Sequence, residues 1–371
     1  MLCLCCLHSC AQKKAAREQN ILLKGTIGKF PVVFEINPDD AVYYYTSAKK
    51  NIELEGEATG QGYTFYKLGM GDKGERDDTL EKMTINSENE KWIGKWHNKK
   101  GKQYDVELVK VNVAHINNPY RDLPVVKEMR QKDWLAYMRT AGLEIVNDSA
   151  KENGKYKMQY CHISKTQLYT FRFTAGLEPA LMNKVNDIMV NKLLDDAQNY
   201  FSCTSDLGDG DYHASINSVY LTDNVISVDR SVSYYCGGAH PDGGSDPINI
   251  NAKTGEELLL DDLLHFGNPP AHADDDSLWL SYRDGIFAPK LLALFTGLYP
   301  AQMQKPTSED SCDYSQPDVW TFPQFYFTKE GLYIAPSFPH VMAGCGYPEW
   351  SVIPYHVLKK YINPAIKLSL P

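Results

Sequence analysis

A stretch of alternating residues followed by a glycine-rich break constrains this chain more than any other feature. From Val225 to Ser233, polar residues alternate with branched apolar residues and one arginine, which is the period-2 pattern of a half-buried strand. Residues 237–244 contain four glycines and a proline, which no helix would tolerate, and a second strand begins at Ile248. The stretch from Val225 to Leu260 therefore predicts a long β-hairpin with a tip of glycine, histidine and proline.

The tip carries two of the candidate site residues. His240 and Asp242 lie between glycines, where they could contact a ligand at the mouth of a domain. His340 lies in a second loop broken by Gly and Pro and is the third candidate. Turn geometry alone accounts for the glycines, so the alternative is a histidine that hydrogen-bonds backbone in a strained loop. Both interpretations stay open.

The residues around this tip resemble a known family. Tyr235-Cys236-Gly237-Gly238-Ala239-His240-Pro241, then Asn249, Thr254-Gly255-Glu256 and the run from Leu259 to Leu264, are similar to the signature of domain of unknown function 3298. The run from Phe325 to Tyr333, with Ile353-Pro354-Tyr355, resembles the end of that domain, so the resemblance spans residues 160–365. It implies a bacterial envelope protein, because the domain occurs in a lysozyme-sensing anti-sigma factor and a peptidoglycan deacetylase. It implies no catalytic residues.

The chain is long enough for two domains: its 371 residues, 43% of them hydrophobic, exceed one ordinary core. Residues 20–113 predict a small all-β domain, an antiparallel meander that curls into a barrel or sandwich. Its expected strands are residues 26–36, 42–46, 52–55, 63–68, 80–86, 91–96 and 104–110. The polar, proline-broken stretch Asn117–Pro124 predicts the boundary.

Residues 120–371 predict an α+β domain with a helix packed on an antiparallel sheet. A short helix is expected within residues 125–138, and strands at residues 143–147, 155–164 and 167–174. A longer helix is expected from Glu178 to Phe201, because one stripe at helical spacing is nearly all apolar and Pro179 suits a first turn. A further helix is expected at residues 284–298. The fold class expected for the whole chain is α+β.

The N-terminal residues indicate the cellular compartment of the protein. Leu7-His8-Ser9-Cys10 resembles the box at which bacterial lipoproteins are cleaved before an acylated cysteine. No Lys or Arg precedes Lys13, so we expect the printed start to lie within a longer signal. Residues 1–19 are then signal, lipobox and tether, and the protein is a lipoprotein anchored by Cys10 on the periplasmic face of a membrane, the outer membrane. The alternative is a cysteine-rich cytosolic N-terminus.

Five cysteines follow Cys10, and an exported protein favours their pairing. We predict a disulfide between Cys236 and Cys345, because each lies in a Gly/Pro-broken loop and two such loops at one end of a sheet could meet. The pairing of Cys161, Cys203 and Cys312 stays open.

Cofactor and metal motifs are weak. Gly69–Gly74 has the form G-x-G-x-x-G, but the residues after it predict a strand rather than a helix, so we interpret it as a hairpin loop. The acidic cluster at Asp206, Asp209 and Asp211 lacks the glutamate that a calcium loop needs at its twelfth position. We expect no cofactor and no metal, and a net charge of −9 spread along the chain argues against nucleic acid.

Hydrolase motifs are absent from the sequence, which favours a non-enzymatic binding protein. The expected partner is an envelope protein, such as a lysozyme-like one, or a cell-wall glycan, with membrane contact through the lipid anchor only. The alternative is a peptidoglycan-directed hydrolase or metal-dependent enzyme near His240, with catalytic residues unknown. Convergence of His240, His340 and carboxylates within hydrogen-bond reach would favour the enzyme.

Overall fold

The computed structural model describes residues 20–37, 40–70, 76–205, 208–237, 240–267, 276–308, 311–366 and 368–370. Eight antiparallel strands form a closed barrel in which each strand pairs with the next and the last pairs with the first. They are β1 Ile21–Ile27, β2 Phe30–Ile36, β3 Asp40–Tyr45, β4 Ile52–Thr59, β5 Gly62–Met70, β6 Arg76–Glu88, β7 Lys91–Asn98 and β8 Gln103–Lys110. The expected barrel is therefore confirmed. The single strand expected at residues 26–36 is wrong, because the chain turns at Gly28 with a φ of +58°.

The barrel is filled by its own alternate side chains. Phe34, Tyr43, Phe65 and Ile85 are buried in its interior, as expected where every second residue of a small barrel points inward. Closure between β1 and β8 requires glycine at residue 25, since a Cβ there would lie 1.9 Å from the carbonyl oxygen of Glu107.

The stretch after the barrel is packed rather than extended. It passes through a short 3-10 helix, Val113–His115, into α1 Pro124–Lys132 and α2 Trp134–Ala141. The single helix expected within residues 125–138 is thus two, because Asp133 adopts extended backbone and caps α2 by accepting from the amide of Ala136. Asn118 is buried and donates to the carbonyl of Tyr137 and the hydroxyl of Thr140.

The remaining chain alternates sheets and helices. The sheet β11-β10-β9 comprises β9 Ile145–Asn153, β10 Tyr156–Ile163 and β11 Tyr169–Ala175, and helix α3 Pro179–Ser202 follows it. After two short strands, β12 Thr204–Ser205 and β13 Gly208–Asp209, comes a sheet built on two long strands, β14 Asp211–Leu221 and β15 Val225–Tyr235. The returning strand of the expected hairpin is in two pieces, β16 Asp242–Ser245 and β17 Ile248–Asn251, which both pair with β15. Helix α3 packs against β11 and β14, which confirms the helix-on-sheet arrangement.

The C-terminal part covers the other face of the β15 sheet. It contains α4 Leu260–Leu263, α5 Asp276–Tyr282, a π-helical turn at Arg283–Phe287, α6 Ala288–Leu298, a 3-10 helix at Pro317–Trp320, β18 Gln324–Phe327, β19 Gly331–Ala335, a 3-10 segment at His340–Gly346, β20 Val352–Pro354, α7 Tyr355–Leu358 and a 3-10 turn at Pro364–Ile366. Strands β18, β19 and β20 form one antiparallel sheet. Trp320 and Phe295 are fully buried in the core between that sheet and α6, with ring centroids 4.6 Å apart. No helix within the described ranges is both long and apolar enough to cross a membrane.

The predicted disulfide between Cys236 and Cys345 is wrong. Cys236 is bonded to Cys203, and Cys345 to Cys312, while Cys161 is a buried free thiol. The reason is strand register: Asp211 pairs with Tyr235, so the end of β15 lies where α3 ends and presents Cys203. The prediction for Cys10 lies outside the residues that the structure describes.

Candidate functional site

The polar face of β15 is buried at the start of the strand and open to a cleft further along. Its apolar face, with Ile226 and Val228, packs toward α3. On the polar face, Ser227 is buried beneath the C-terminal sheet; its hydroxyl donates to Asn249 at 2.7 Å and accepts from the amide of Phe327 at 2.8 Å. Further along, Asp229 and Ser231 are only partly buried, because the covering sheet ends and leaves an open cleft.

This cleft, the β15 cleft, has a volume of about 750 Å³. Its walls come from β14, β15 and β16 on one side and from β18, β19, the turn between them, β20 and the segment after Gly346 on the other. The lining residues are Asn217, Asp229, Ser231, Gly244, Ser245, Tyr326, Thr328, Glu330, Tyr333, Tyr347, Glu349 and Val352. They include three carboxylates, three tyrosines, an amide and three hydroxyls, but no lysine, arginine or histidine.

Asp229 lies on the β15 wall of the cleft. A β-bulge between Ile216 and Ser218 displaces Asn217 from the regular pairing, and its amide donates to Asp229 at 3.2 Å. Burial raises the pKa of Asp229 above its usual range, and the hydrogen bond from Asn217 opposes that shift. Ser231 donates to the amide oxygen of Asn217, so three polar groups are held together.

The tyrosines supply the opposite wall. Tyr326 and Tyr333 stack with ring centroids 4.7 Å apart. Burial raises the pKa of Tyr326 to about 12, with a further contribution from the charge of Asp229, and burial also raises the pKa of Tyr333. Both phenols therefore remain protonated at neutral pH and can donate hydrogen bonds. Tyr347 is 52% exposed, and its hydroxyl accepts from the amide of Ser245 at 2.9 Å.

One wall residue has an unused hydrogen-bonding group. The hydroxyl oxygen of Ser245 is buried and has no partner within the part of the chain that the structure describes. Buried hydroxyls in native proteins usually have a partner, so a bound molecule is one group that could supply it.

The three residues predicted from the sequence meet beside this cleft. The rings of His240 and His340 stack with centroids 3.7 Å apart, and Nε2 of His340 lies 2.9 Å from the carbonyl oxygen of Pro241. The same nitrogen is 4.0 Å from Asp242, which accepts instead from the amide of Gly243 and the hydroxyl of Tyr234. The two loops expected to meet do meet, but the contact is made by histidines instead of a disulfide.

The histidine pair does not form a convergent polar site. His340 is directed at a backbone carbonyl, and the carboxylate of Asp242 is beyond hydrogen-bond reach of it. No group of three or more His, Cys, Asp or Glu side chains in the described ranges is placed to hold a metal ion. The stacked pair lies at one rim of the cleft, where Gly244 and Ser245 continue from Asp242.

The chain is similar to two solved structures, each described as a DUF3298 family protein. One, from Pseudomonas aeruginosa, is 16% identical with a TM-score of 0.32, and covers 62% of this chain and 95% of its own. The other, from Bacteroides fragilis, is 15% identical with a TM-score of 0.30, and covers 61% of this chain and 97% of its own. Both carry the family name that the motifs around Cys236 and Phe325 predict. No protein-family model matches the chain, and neither does any curated protein.

Sequence reasoning missed most residues of the β15 cleft. Asp229 and Ser231 are visible in the sequence only as the polar members of an alternating strand, and Tyr326 and Tyr333 only as members of a family motif. Asn217 carries no sequence signal, because its position depends on the bulge in β14. The paired tyrosines beside an exposed polar strand surface are the signal that could have indicated a binding surface.

Proposed function

We propose that this protein is a binding protein of the bacterial cell envelope and that its β15 cleft binds a cell-wall glycan. The observation that carries the proposal is the composition of the cleft. Tyrosine rings offer flat apolar surfaces with a polar end, and the amide, hydroxyl and carboxylate groups beside them can hydrogen-bond a polyhydroxylated ligand. A protein partner is the alternative that binding assays distinguish.

The enzyme alternative has one observation in its favour. Asp229 is partly buried, its pKa is raised by burial, and Glu330 and Glu349 line the same cleft. A raised carboxyl pKa is the property of a general acid. Against the enzyme predicted near His240, Nε2 of His340 contacts the backbone carbonyl of Pro241, and the carboxylate of Asp242 lies 4.0 Å from it, beyond hydrogen-bond reach.

Calorimetric titration with soluble peptidoglycan oligosaccharides tests the proposal. Tyr347→Ala should weaken binding by about tenfold or more, because it removes an exposed aromatic surface from the cleft. Tyr169→Ala is the matched control, since Tyr169 is 41% exposed on β11 and does not line the cleft. Equal loss in both variants, or no binding by the wild-type protein, would refute glycan binding at this site.

Two further measurements test the alternatives, which are a hydrolase and a protein-binding protein; the first incubates the protein with the same oligosaccharides. Release of new reducing ends that is abolished in Asp229→Asn would identify a hydrolase, whereas intact oligosaccharide supports binding alone. Retention of an envelope protein on the immobilised chain, lost in Tyr347→Ala, would identify a protein partner instead.

The envelope location is tested separately. Full-length protein expressed with an upstream signal should partition into detergent, and Cys10→Ser should release it into the aqueous phase. If both forms remain aqueous with unprocessed N-termini, the lipoprotein assignment is wrong.

A further inference from the structure

A second cavity lies where the barrel meets the α+β part. It is open to solvent, has a volume of about 170 Å³, and is bordered by the β3–β4 turn, the chain after α2, the β10–β11 turn and the end of α3. Its lining residues are Thr46, Ser47, Ala48, Lys49, Gly142, Leu143, Glu144, Ile163, Ser164, Lys165, Thr166, Tyr200 and Phe201. We call it the seam cavity.

Two lysines in the seam cavity have strained backbone. Lys49 has a φ of +61° and Lys165 a φ of +64°, in the left-handed region that bulky side chains rarely adopt. Only two other non-glycine residues in the described ranges share this feature, Asn89 and Glu90, which lie together in the β6–β7 turn. Strained residues that converge on one cavity from turns far apart in sequence motivate a hypothesis of function.

Positive charge at the seam cavity is incompletely neutralised. Lys165 is exposed, and its ammonium makes no hydrogen bond or ion pair with any described residue; Lys49 is half-buried, and the one described acceptor of its ammonium is the carbonyl of Thr46. Burial lowers the pKa of Lys49, and the charges of Lys165 and Arg139 lower it further. Arg139 is 2% exposed, and its described hydrogen-bond acceptors are amide oxygens; the charge of Asp133 acts on it without forming a described salt bridge. Glu144 is the one carboxylate among the described residues that lines the cavity.

We propose that the seam cavity binds a small oxyanion of the phosphate or sulfate class, held by Lys49 and Lys165. The hydroxyls of Ser47 and Ser164 also line the cavity and have no hydrogen-bond partner in the described part of the chain, so they can donate to an anionic oxygen. An anion there offsets the repulsion between the two ammonium groups. Because one lysine belongs to the barrel and the other to the α+β part, the bound anion also connects the two.

The test uses the full chain in phosphate-free buffer, titrated with inorganic phosphate against sodium chloride of equal ionic strength. Phosphate should raise the thermal midpoint by a few degrees beyond chloride. Lys49→Asn and Lys165→Asn should each weaken phosphate binding by about tenfold or more, because each removes a charge-assisted contact. Asparagine is chosen because it tolerates left-handed backbone and so removes charge without adding strain.

The control is Lys91→Asn, an exposed lysine at the start of β7 whose variant should bind phosphate like the wild type. A second readout does not depend on stability: amine-reactive labelling of Lys49, followed by mass spectrometry, should slow when phosphate is present. Co-sedimentation with phosphatidylglycerol vesicles, compared with phosphatidylcholine, distinguishes a lipid headgroup from the free ion. Phosphate binding unchanged in both lysine variants, or no phosphate effect on midpoint and labelling, would overturn the proposal.

Discussion

The barrel and the α+β part of this chain are held together by different interactions. In the barrel, strands adjacent in sequence pair with each other, the interior is aromatic and aliphatic, and ion pairs such as Lys95 with Asp105 lie on the surface. In the α+β part, elements distant in sequence are joined by two disulfides and by buried ion pairs such as Arg230 with Asp196. The β15 cleft lies in the second part. Long-range packing leaves polar strand surface uncovered, whereas a small closed barrel fills itself.

The largest expected effect comes from the buried ion pair. Arg230, on β15, also pairs with Asp246 at 2.8 Å, and its side chain is 3% exposed. Arg230→Met should lower the free energy of unfolding by roughly 3–5 kcal/mol, because the buried carboxylate of Asp196 loses its hydrogen-bonded ion-pair partner and the charge of Lys192 compensates it less fully. Urea unfolding monitored by circular dichroism measures this.

Two further variants sharpen that comparison. Lys95→Met breaks an exposed pair in the barrel and should change the free energy of unfolding by about 1 kcal/mol or less. Adding Asp196→Asn to Arg230→Met should recover part of the loss. Equal effects of Arg230→Met and Lys95→Met would show that the two regions do not differ in this way.

The disulfides should matter nearly as much, and only in one region. Cys203 and Cys236 are 33 residues apart, and a loop of that length corresponds to roughly 4 kcal/mol in the chain-entropy model. The double Cys→Ala variant should exchange its β14 and β15 amides faster while β2 and β6 amides are unchanged, as measured by hydrogen exchange. Equal acceleration in the barrel would mean that both regions unfold as one unit.

The buried carboxyl should make the α+β part sensitive to pH. Burial raises the pKa of Asp196 from 3.8 to about 6, against the opposing charges of Arg230 and Lys192. Between these values the folded state binds more protons than the unfolded state, so this group's contribution to stability falls as pH rises from about 4 to 6.

The expected size of that fall is roughly 3 kcal/mol, from the shift in pKa. It is measured as the difference in free energy of unfolding between the wild type and Asp196→Asn at several pH values, since the contributions of titrating groups that do not interact with Asp196 cancel in that difference. A difference that is flat from pH 4 to 6, or that grows with pH, contradicts the assignment.

A smaller effect than those of the ion pair, the disulfide and the buried carboxyl is expected at the contact between the two regions. Arg139 lies over the rings of Tyr44 and Phe201 and donates to Asn51 and Gln198. Arg139→Met should lower the free energy of unfolding by about 2 kcal/mol, because two amide partners lose their hydrogen bonds.

Separate folding of residues 20–113 and 120–371 remains a prediction. The buried Asn118 protects the boundary, so we expect early proteolysis between residues 117 and 124 in the variant rather than in the wild type.

Lys151→Met is the matched control for the proteolysis experiment. Lys151 is an exposed lysine on β9 whose ammonium lies over the ring of Tyr160, away from the Arg139 contacts. Its variant should be cleaved like the wild type. Cleavage of the wild type at the boundary as fast as the Arg139 variant would show that the contact does not hold the regions together.

Local sequence pattern by itself determined many of the secondary-structure elements of this protein. The period-2 alternation of β15, the apolar stripe of α3 and the turn residues of the barrel each specify an element from nearby residues alone. The meeting of the two glycine- and proline-broken loops also follows from their shared position at strand ends. Gly28, by contrast, gives no clear turn signal, because the residues on both sides of it are equally suited to one continuous strand.

Only the tertiary structure decided which distant residues form ion pairs and disulfides with each other. Asp196 interrupts the apolar stripe of α3 because it pairs with Arg230, which lies 34 residues away on β15, a strand of the sheet against which the helix packs. Cys236 pairs with Cys203 because strand register places their Cα atoms 4.7 Å apart. Asp229 lines a cleft while Ser227 is covered, although both have the same place in the alternation. The physical reason is that the alternation of polar and apolar residues determines which face of the strand a residue occupies. Its burial and its hydrogen-bond partners depend on where a sheet distant in sequence ends.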